Sequence, residues 1–511
     1  MKDSYKKVAN LASMYATRWV KPDTGSLWIV SGISIFLLGL LAFLGVYDRP
    51  IADDFTWIHQ AHTMSVPGYM HQQLWFAYGR YGNALALALL GKIFYTASVT
   101  VAPLALILIL VASAYYTSTA FGITKLRALA ISLASTAFLL TSVPSIFDVL
   151  YWLNSSTLYP LAIAGSMLVA GSTVKMWTAG RRLVLWKLST VLGIAFLVGG
   201  INEFSPVINT VIIALVCIAW RGKRYPWRSF VIGAMVATQF LAFAILKWAP
   251  GSIHRQTVAQ SGATSLLHVA KHSLLAMGGF IPSLTAWNIV LIVVASITIA
   301  ITVYRYGTTK FLTKEIWRKV AALFVLATTL YVIPVIMTQY ARSIRDNDQP
   351  PYRAQIYLVA GLMLALTTLI WLLCTAAKLR SSTYKNIALV VLVVFGLGLS
   401  IARTATVGQA MTTRAFLYDQ RLTIADLQIK SGKQVLLLPE VPIYAVSDAQ
   451  DLPPTNDPAY FSSWVSVVMA EYLGVKQVKT DDSKSLESCP AVNNWYMNQL
   501  HCKSVYKAVA R

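Results

Sequence analysis

The chain has 511 residues, of which 56% are hydrophobic and only 12% charged. Soluble domains carry about 25% charged residues, so this composition excludes an ordinary soluble protein and points to a membrane. The net charge of +23 reads as topogenic and lipid-facing, with membrane lipids as the partner and no nucleic acid.

A helix needs about 20 apolar residues to cross a bilayer core. In chain order, the runs that approach this are 27–46, 98–119, 128–142, 158–174, 187–201, 207–220, 230–248, 285–304, 320–337, 356–374 and 387–402. They predict an all-α polytopic membrane protein with about eleven transmembrane helices. The third and fifth runs are short. Residues 84–94 are apolar but too short to span, and they carry Lys92; they read as a surface helix or an extension of the second span. The first run is too long for a signal-peptide core and lacks a small-residue cleavage site, so it reads as a retained anchor.

Orientation follows from the Lys and Arg bias of the loops. With the N-terminus inside, the inner segments hold about 23 basic residues, against about 9 in the outer loops before residue 403. This predicts an N-in, C-out membrane protein, with a transmembrane domain at 1–403. Residues 404–511 are polar and predict a small extracytoplasmic α/β domain. Gln434–Pro439 reads as a strand, Phe461–Leu473 as a helix closed by Gly474, and Val475–Val478 as a second strand. Cys489 and Cys502 lie in this tail and, outside the cytoplasm, are expected to pair as a disulfide. Cys217 and Cys374 lie in apolar runs and read as buried small side chains.

Acidic residues are few. Of the ten before the tail, Asp48, Asp53, Asp54, Asp148, Glu203, Asp346 and Asp348 fall at the outer face by this topology. Ionisable groups near a bilayer are costly and so mark functional candidates. The densest constellation is the first outer loop, with Asp53-Asp54 a few residues beyond the first span. His59, His62 and His71 follow, then Trp75, Tyr78, Arg80 and Tyr81. Adjacent carboxylates raise each other's pKa or share a cation, and either suits a general base. Aromatic rings supply stacking surfaces for sugar faces. The competing reading is a helix cap, in which Asp53 or Asp54 caps a helix beginning at Phe55. The histidines lack metal-ligand spacing and read as surface or hydrogen-bonded residues. Asp48 precedes the motif, and its replacement by Asn is expected to be mild.

A long first outer loop with an acidic pair just beyond the first span resembles the GT-C glycosyltransferase superfamily. More narrowly, Ala52-Asp53-Asp54-Phe55 with Trp75 and Gly79-Arg80-Tyr81 is similar to one bacterial group of such proteins. Tyr151-Trp152 with Tyr159-Pro160, Asn202-Glu203, Pro350-Pro351-Tyr352-Arg353 and the tail segment 464–474 extend the likeness along the chain. The resemblance implies an inverting membrane glycosyltransferase of the bacterial inner (plasma) membrane. It would move a sugar from a polyprenyl-phosphate donor to a cell-envelope glycan or lipid acceptor on the outer face. It implies a catalytic base at Asp53 or Asp54, with Asp53 preferred, and a substrate-side or metal-side acid at Asp148. A divalent cation, magnesium or manganese, would fall to Asp53, Asp54 and Asp148 if the reaction uses one.

Glu203 either binds a sugar hydroxyl or pairs with an arginine. Arg342, Arg345 and Arg353 are candidates for the donor phosphate, since a guanidinium donates two parallel hydrogen bonds. Their alternative is headgroup contact or pairing with Asp346 and Asp348. Arg255, Lys271, His254 and His272 are weaker candidates. Two other classes compete with the transferase: a polysaccharide polymerase or ligase, and a transporter of lipid-linked substrate. Against the transporter, no internal repeat or matched pair of broken helices is visible.

Overall fold

The structure is a computed structural model. It describes residues 22–51, 53–178, 185–219, 226–253, 266–306, 314–342, 354–376, 383–438 and 462–480. The chain is an all-α polytopic membrane protein, and each of the eleven apolar runs lies on a helix. These are α1 (Pro22–Leu44), α5 (Ser98–Ala120), α6 (Lys125–Ser142), α7 and α8 (Leu153–Leu158 and Pro160–Thr178), α9 (Leu185–Gly199) and α10 (Phe204–Ala219). There follow α11 (Pro226–Trp248), α13 (Ala286–Tyr306), α14 (Lys314–Arg342), α15 (Gln355–Ala376) and α16 (Thr383–Lys430). Between α1 and α5 lie α2 (Asp54–Thr63), α3 (Val66–Gln72) and α4 (Tyr81–Phe94); α12 (Leu266–Ser283) precedes α13.

Among the described residues seven helices are long and apolar enough to cross a membrane, or eight if one bent pair counts as a single span. That is fewer than the eleven expected. The shortfall is α6, which opens on Lys125 and Arg127, and α9 and α10, with 15 and 16 residues. At about 1.5 Å per residue such helices reach about 22–24 Å, short of the roughly 30 Å hydrocarbon core.

The bent pair is α12 and α13, which meet at 91°. Pro282 lies in the last turn of α12, and Asn288 organises the corner. Its Oδ1 accepts from the Thr285 backbone N–H at 3.0 Å, and its Nδ2 donates to the Ser142 carbonyl at 2.8 Å. None of the eleven apolar runs covers α12. Lys271 and His272 lie on it, and the His272 ring is 4.1 Å from that of His268. His254 and Arg255 lie outside the described residues.

The last long helix, α16, is 48 residues long and runs unbroken through residue 403, where a domain boundary was expected. No proline interrupts 383–430, and its polar half is rich in helix formers such as Ala, Leu, Gln and Arg. Beyond it, β1 (Val435–Leu438) pairs in parallel with β2 (Gln477–Thr480), and α17 (Ser462–Leu473) ends at Gly474, whose φ is +67°. Leu436, Leu438, Met469, Ala470 and Val478 form a small core with Leu417, Tyr418, Ile424 and Ala425 of α16. Cys489 and Cys502 lie outside the described residues. Cys217 and Cys374 are half-buried, and neither is in a disulfide among the described residues.

Candidate functional site

The end of α1 runs through a 3-10 turn, Gly45–Tyr47, into the acidic loop. Gly45 lies against α5, where an added Cβ would meet the Thr100 carbonyl oxygen at 2.8 Å. The loop then enters α2 at Asp54, with Asp53 at the cap position. Neither carboxylate caps the helix. Asp53 makes no side-chain capping bond. Instead its Oδ1 accepts from the Trp152 indole N–H at 2.9 Å, and its Oδ2 accepts from the Asn154 Nδ2 at 2.6 Å. Asp54 Oδ1 accepts from the Asn154 backbone N–H at 3.2 Å, and Oδ2 from the Ile51 backbone N–H at 3.3 Å. The pair is therefore bound to a segment about a hundred residues later in the chain.

That segment is a π-helical turn, Phe147–Tyr151, leading into α7. A π turn carries one extra residue per hydrogen-bonded ring and often occurs at functional sites. Here it leads directly to Trp152 and Asn154. Tyr151 anchors it by donating its hydroxyl to the Leu41 carbonyl at 2.7 Å. Asp148 lies within the turn and is buried. Among the described residues no group of three His, Cys, Asp or Glu is placed to hold a metal ion, so Asp53, Asp54 and Asp148 do not converge as one. His62 stacks on Tyr95 and His71 on Trp75.

Three carboxylates are buried within seven residues: Asp48 at 1% exposure, Asp53 at 8% and Asp54 at 0%. Burial pushes the Asp54 carboxyl well above the usual range, and the charges of Asp53 and Asp48 push the same way. The backbone N–H groups of Asn154 and Ile51 oppose this more weakly. Burial also raises Asp48, against the pull of Arg414, whose Nη1 is 4.0 Å from Asp48 Oδ1. Asp48 is thus buried close enough to the pair for its charge to act on Asp54, which the sequence, placing it before the motif, did not show. Sequence reasoning missed it because its partner, Arg414, is more than 360 residues away.

Around the pair stand polar atoms that find no hydrogen-bond partner among the described residues. They are the Tyr69 hydroxyl, the Trp57 indole N–H and the Asn83 Oδ1, all on buried side chains. Asn83 donates its Nδ2 to Asn154 Oδ1 at 3.4 Å. The Trp57 and Tyr69 rings meet edge to face at 6.4 Å. Burial raises the Tyr69 phenol, and the charge of Asp53 adds to this. Buried polar groups are ordinarily satisfied, so three beside an acid pair form a notable cluster. Tyr69 and Asn83 carried no motif in the sequence.

The second half of the loop is a packing device. Gly79 has φ +67°, and a Cβ there would lie 2.4 Å from Ser252 Oγ. Arg80 Nε and Nη2 grip Glu203 Oε1 and Oε2 at 3.0 and 3.1 Å, a two-pronged ion pair. Of the two readings for Glu203, the arginine pair is therefore the one observed. The guanidinium also lies 5.4 Å from the Tyr78 ring. Tyr81 stacks on Phe196 at 4.7 Å and donates its hydroxyl to the Phe196 carbonyl at 2.8 Å. Asn202 caps α10, with its Oδ1 accepting from Phe204 N and Ser205 N at 3.0 Å each. Trp75, in the π-helical turn Gln73–Ala77, is half exposed. Arg342 ends α14, while Arg345 and Arg353 lie outside the described residues. Comparison with protein-family models, curated proteins and solved structures finds no match to this chain.

Proposed function

We propose that this protein is an inverting membrane glycosyltransferase that takes its sugar from a polyprenyl-phosphate donor. The acceptor is a cell-envelope glycan or lipid. The face carrying Asp53 is the non-cytoplasmic one, in a bacterial inner membrane, and the C-terminal residues lie on that side. One observation carries the reading. Asp48, Asp53 and Asp54 are buried together beside a membrane span, and the acid pair is held by Trp152 and Asn154 instead of capping its helix. Burying carboxylates is costly, and such clusters concentrate at functional sites.

In this mechanism Asp53 is the general base. Trp152 and Asn154 each donate to one of its oxygens and fix its orientation, and each oxygen keeps a lone pair for the acceptor hydroxyl. Asp54 holds its proton more tightly than an ordinary carboxyl. Its two oxygens are turned to the backbone N–H groups of Asn154 and Ile51. The acceptor oxygen, losing its proton to Asp53, bonds to the anomeric carbon. The bond from that carbon to the phosphate oxygen breaks, and its electron pair leaves with polyprenyl phosphate. A single displacement inverts the anomeric centre. Tyr69, Trp57 and Asn83 present two donors and an acceptor suited to sugar hydroxyls, while Trp75 and Tyr78 offer ring faces. Arg342, Arg345 and Arg353 are assigned to the phosphate, where a guanidinium stabilises the leaving charge.

The test compares the envelope glycans of a deletion strain with those of its parent. Loss of one glycan or one sugar modification, with a lipid-linked precursor accumulating, supports the proposal. Unchanged glycans and precursors reject it. A periplasm-active reporter fused after Lys430 checks the orientation: activity supports it, and silence in an expressed fusion reverses it.

A further inference from the structure

The acid-bearing loop is gripped from one side by the last long helix. Arg414 of α16, 7% exposed, donates Nη1 to the Arg49 carbonyl and Nη2 to the Pro50 carbonyl, both at 3.2 Å. Its guanidinium faces Asp48 and lies 5.3 Å from the Phe147 ring. Phe147 opens the π-helical turn that delivers Trp152 and Asn154. One side chain thus touches both segments that build the site. Five residues further along α16, Asp419 takes a two-pronged bond from Arg49, Nε to Oδ1 at 2.7 Å and Nη2 to Oδ2 at 2.8 Å. Phe55, adjacent to Asp54, is inserted into the C-terminal core, 6.3 Å from the Tyr418 ring and 5.2 Å from that of Tyr472. Among the described residues it is the one member of that buried core from outside 417–478.

We infer that the C-terminal half of α16, with the small core built on it, is a clamp for the acid pair, and that Arg414 is its principal positioning residue. The inference rests on the reading of Asp53 as a base. The physical reasons are geometric. A guanidinium is planar and donates in fixed directions, so two carbonyls and a ring face hold it in one place. The loop between α1 and α2 has only the 3-10 turn of its own before Asp48, so its course from 48 to 53 is set by what it is bound to. Displacing a reacting group by about 1 Å costs about 100-fold in rate.

The experiment is hydrogen–deuterium exchange with mass spectrometry on the full-length protein in nanodiscs, which needs no sugar substrate. Arg414→Gln should speed exchange at least about tenfold (about 1.4 kcal/mol of opening free energy) in peptides covering both 48–56 and 147–154. Asp419→Asn should speed exchange in 48–56 alone, because its side chain grips only Arg49 of these two segments. Arg414→Lys keeps the charge but not the fork, and should fall between Arg414→Gln and the unaltered protein. In transfer assays Arg414→Gln should lower kcat with donor KM little changed, and Arg414→Lys should restore part of it. If Arg414→Gln leaves both peptides at parental exchange, the clamp is refuted. If Arg414→Gln does not accumulate, Asp419→Asn decides, and parental exchange in 48–56 refutes it. Loosened exchange with fully active acid-pair variants would instead retain the clamp and reject Asp53 as base.

Discussion

The Arg80–Glu203 pair offers a test of how the first loop is held to the bundle. Replacing either partner with Gln strands the other. The Arg80 side chain is 17% exposed and that of Glu203 35%, so the pair sits between a surface bridge and a fully buried one. Surface pairs contribute about 0–1 kcal/mol, whereas breaking a buried pair costs about 3–5 kcal/mol. Two charge-assisted bonds, discounted for the solvent reaching Glu203, place the coupling at about 1.5–2.5 kcal/mol. The assay is a double-mutant cycle of Arg80→Gln, Glu203→Gln and both together, read by unfolding of the protein in mixed micelles. The double variant should be little worse than either single one. Purely additive effects, within about 0.5 kcal/mol, would refute the pairing.

Asp54 predicts a pH dependence. Its raised carboxyl means that the folded state binds more protons than the unfolded one above the ordinary carboxylate range, so stability falls as pH rises through its folded value. Asp54→Asn removes that slope; its melting temperature should gain on the parent's as pH rises, and parallel curves would contradict this. Asn154→Ala removes the donor to Asp53 Oδ2, and a lost bond to a charged group is worth about 1.5–3 kcal/mol. Transfer should fall about 10- to 100-fold at normal expression, and undiminished transfer would show that Asn154 does not orient the base. Gly82→Ala places a Cβ 2.2 Å from the Leu197 carbonyl oxygen and 2.9 Å from the Gly200 carbonyl carbon, both backbone. This variant should fail to accumulate, and normal yield with normal melting would contradict the packing.

Much of the membrane architecture is legible in the sequence because apolar runs of span length have few alternatives to a helix. The 98–119 run and helix Ser98–Ala120 nearly coincide. Lengths were misjudged where apolar character and helicity part company. The α16 helix continues far past residue 402 because nothing in Arg403–Lys430 breaks it, although its polarity ends the hydrophobic signal. Helix α12 was missed because Lys271, His268 and His272 break up its apolar pattern. The strands, α17 and the Gly474 stop are local signals and were found within two residues.

Within the site, the acid pair stands out because two adjacent carboxylates next to a span are rare in so apolar a chain. Its partners do not stand out. Trp152 and Asn154 meet Asp53 across about a hundred residues, and Arg414 meets Asp48 across more than 360. Such pairings are properties of the bundle, and no local pattern encodes them. Arg80 and Glu203 were both singled out, Glu203 with an arginine as one of its two candidate partners, but no sequence signal names Arg80 as that arginine. That they bind each other follows from Gly82 and Gly200, whose backbones meet through a 2.9 Å hydrogen bond and bring the two loops together.

The most direct test of the central claim is transfer by Asp53→Asn, a change that keeps the shape of the side chain and removes its charge. General-base contributions are about 100- to 10,000-fold in rate. The variant should lose transfer by at least about 100-fold while reaching the membrane at the parental level and keeping parental exchange in 147–154. Near-normal transfer at normal expression would contradict the assignment of Asp53 as the base, and with it the mechanism built on the acid pair.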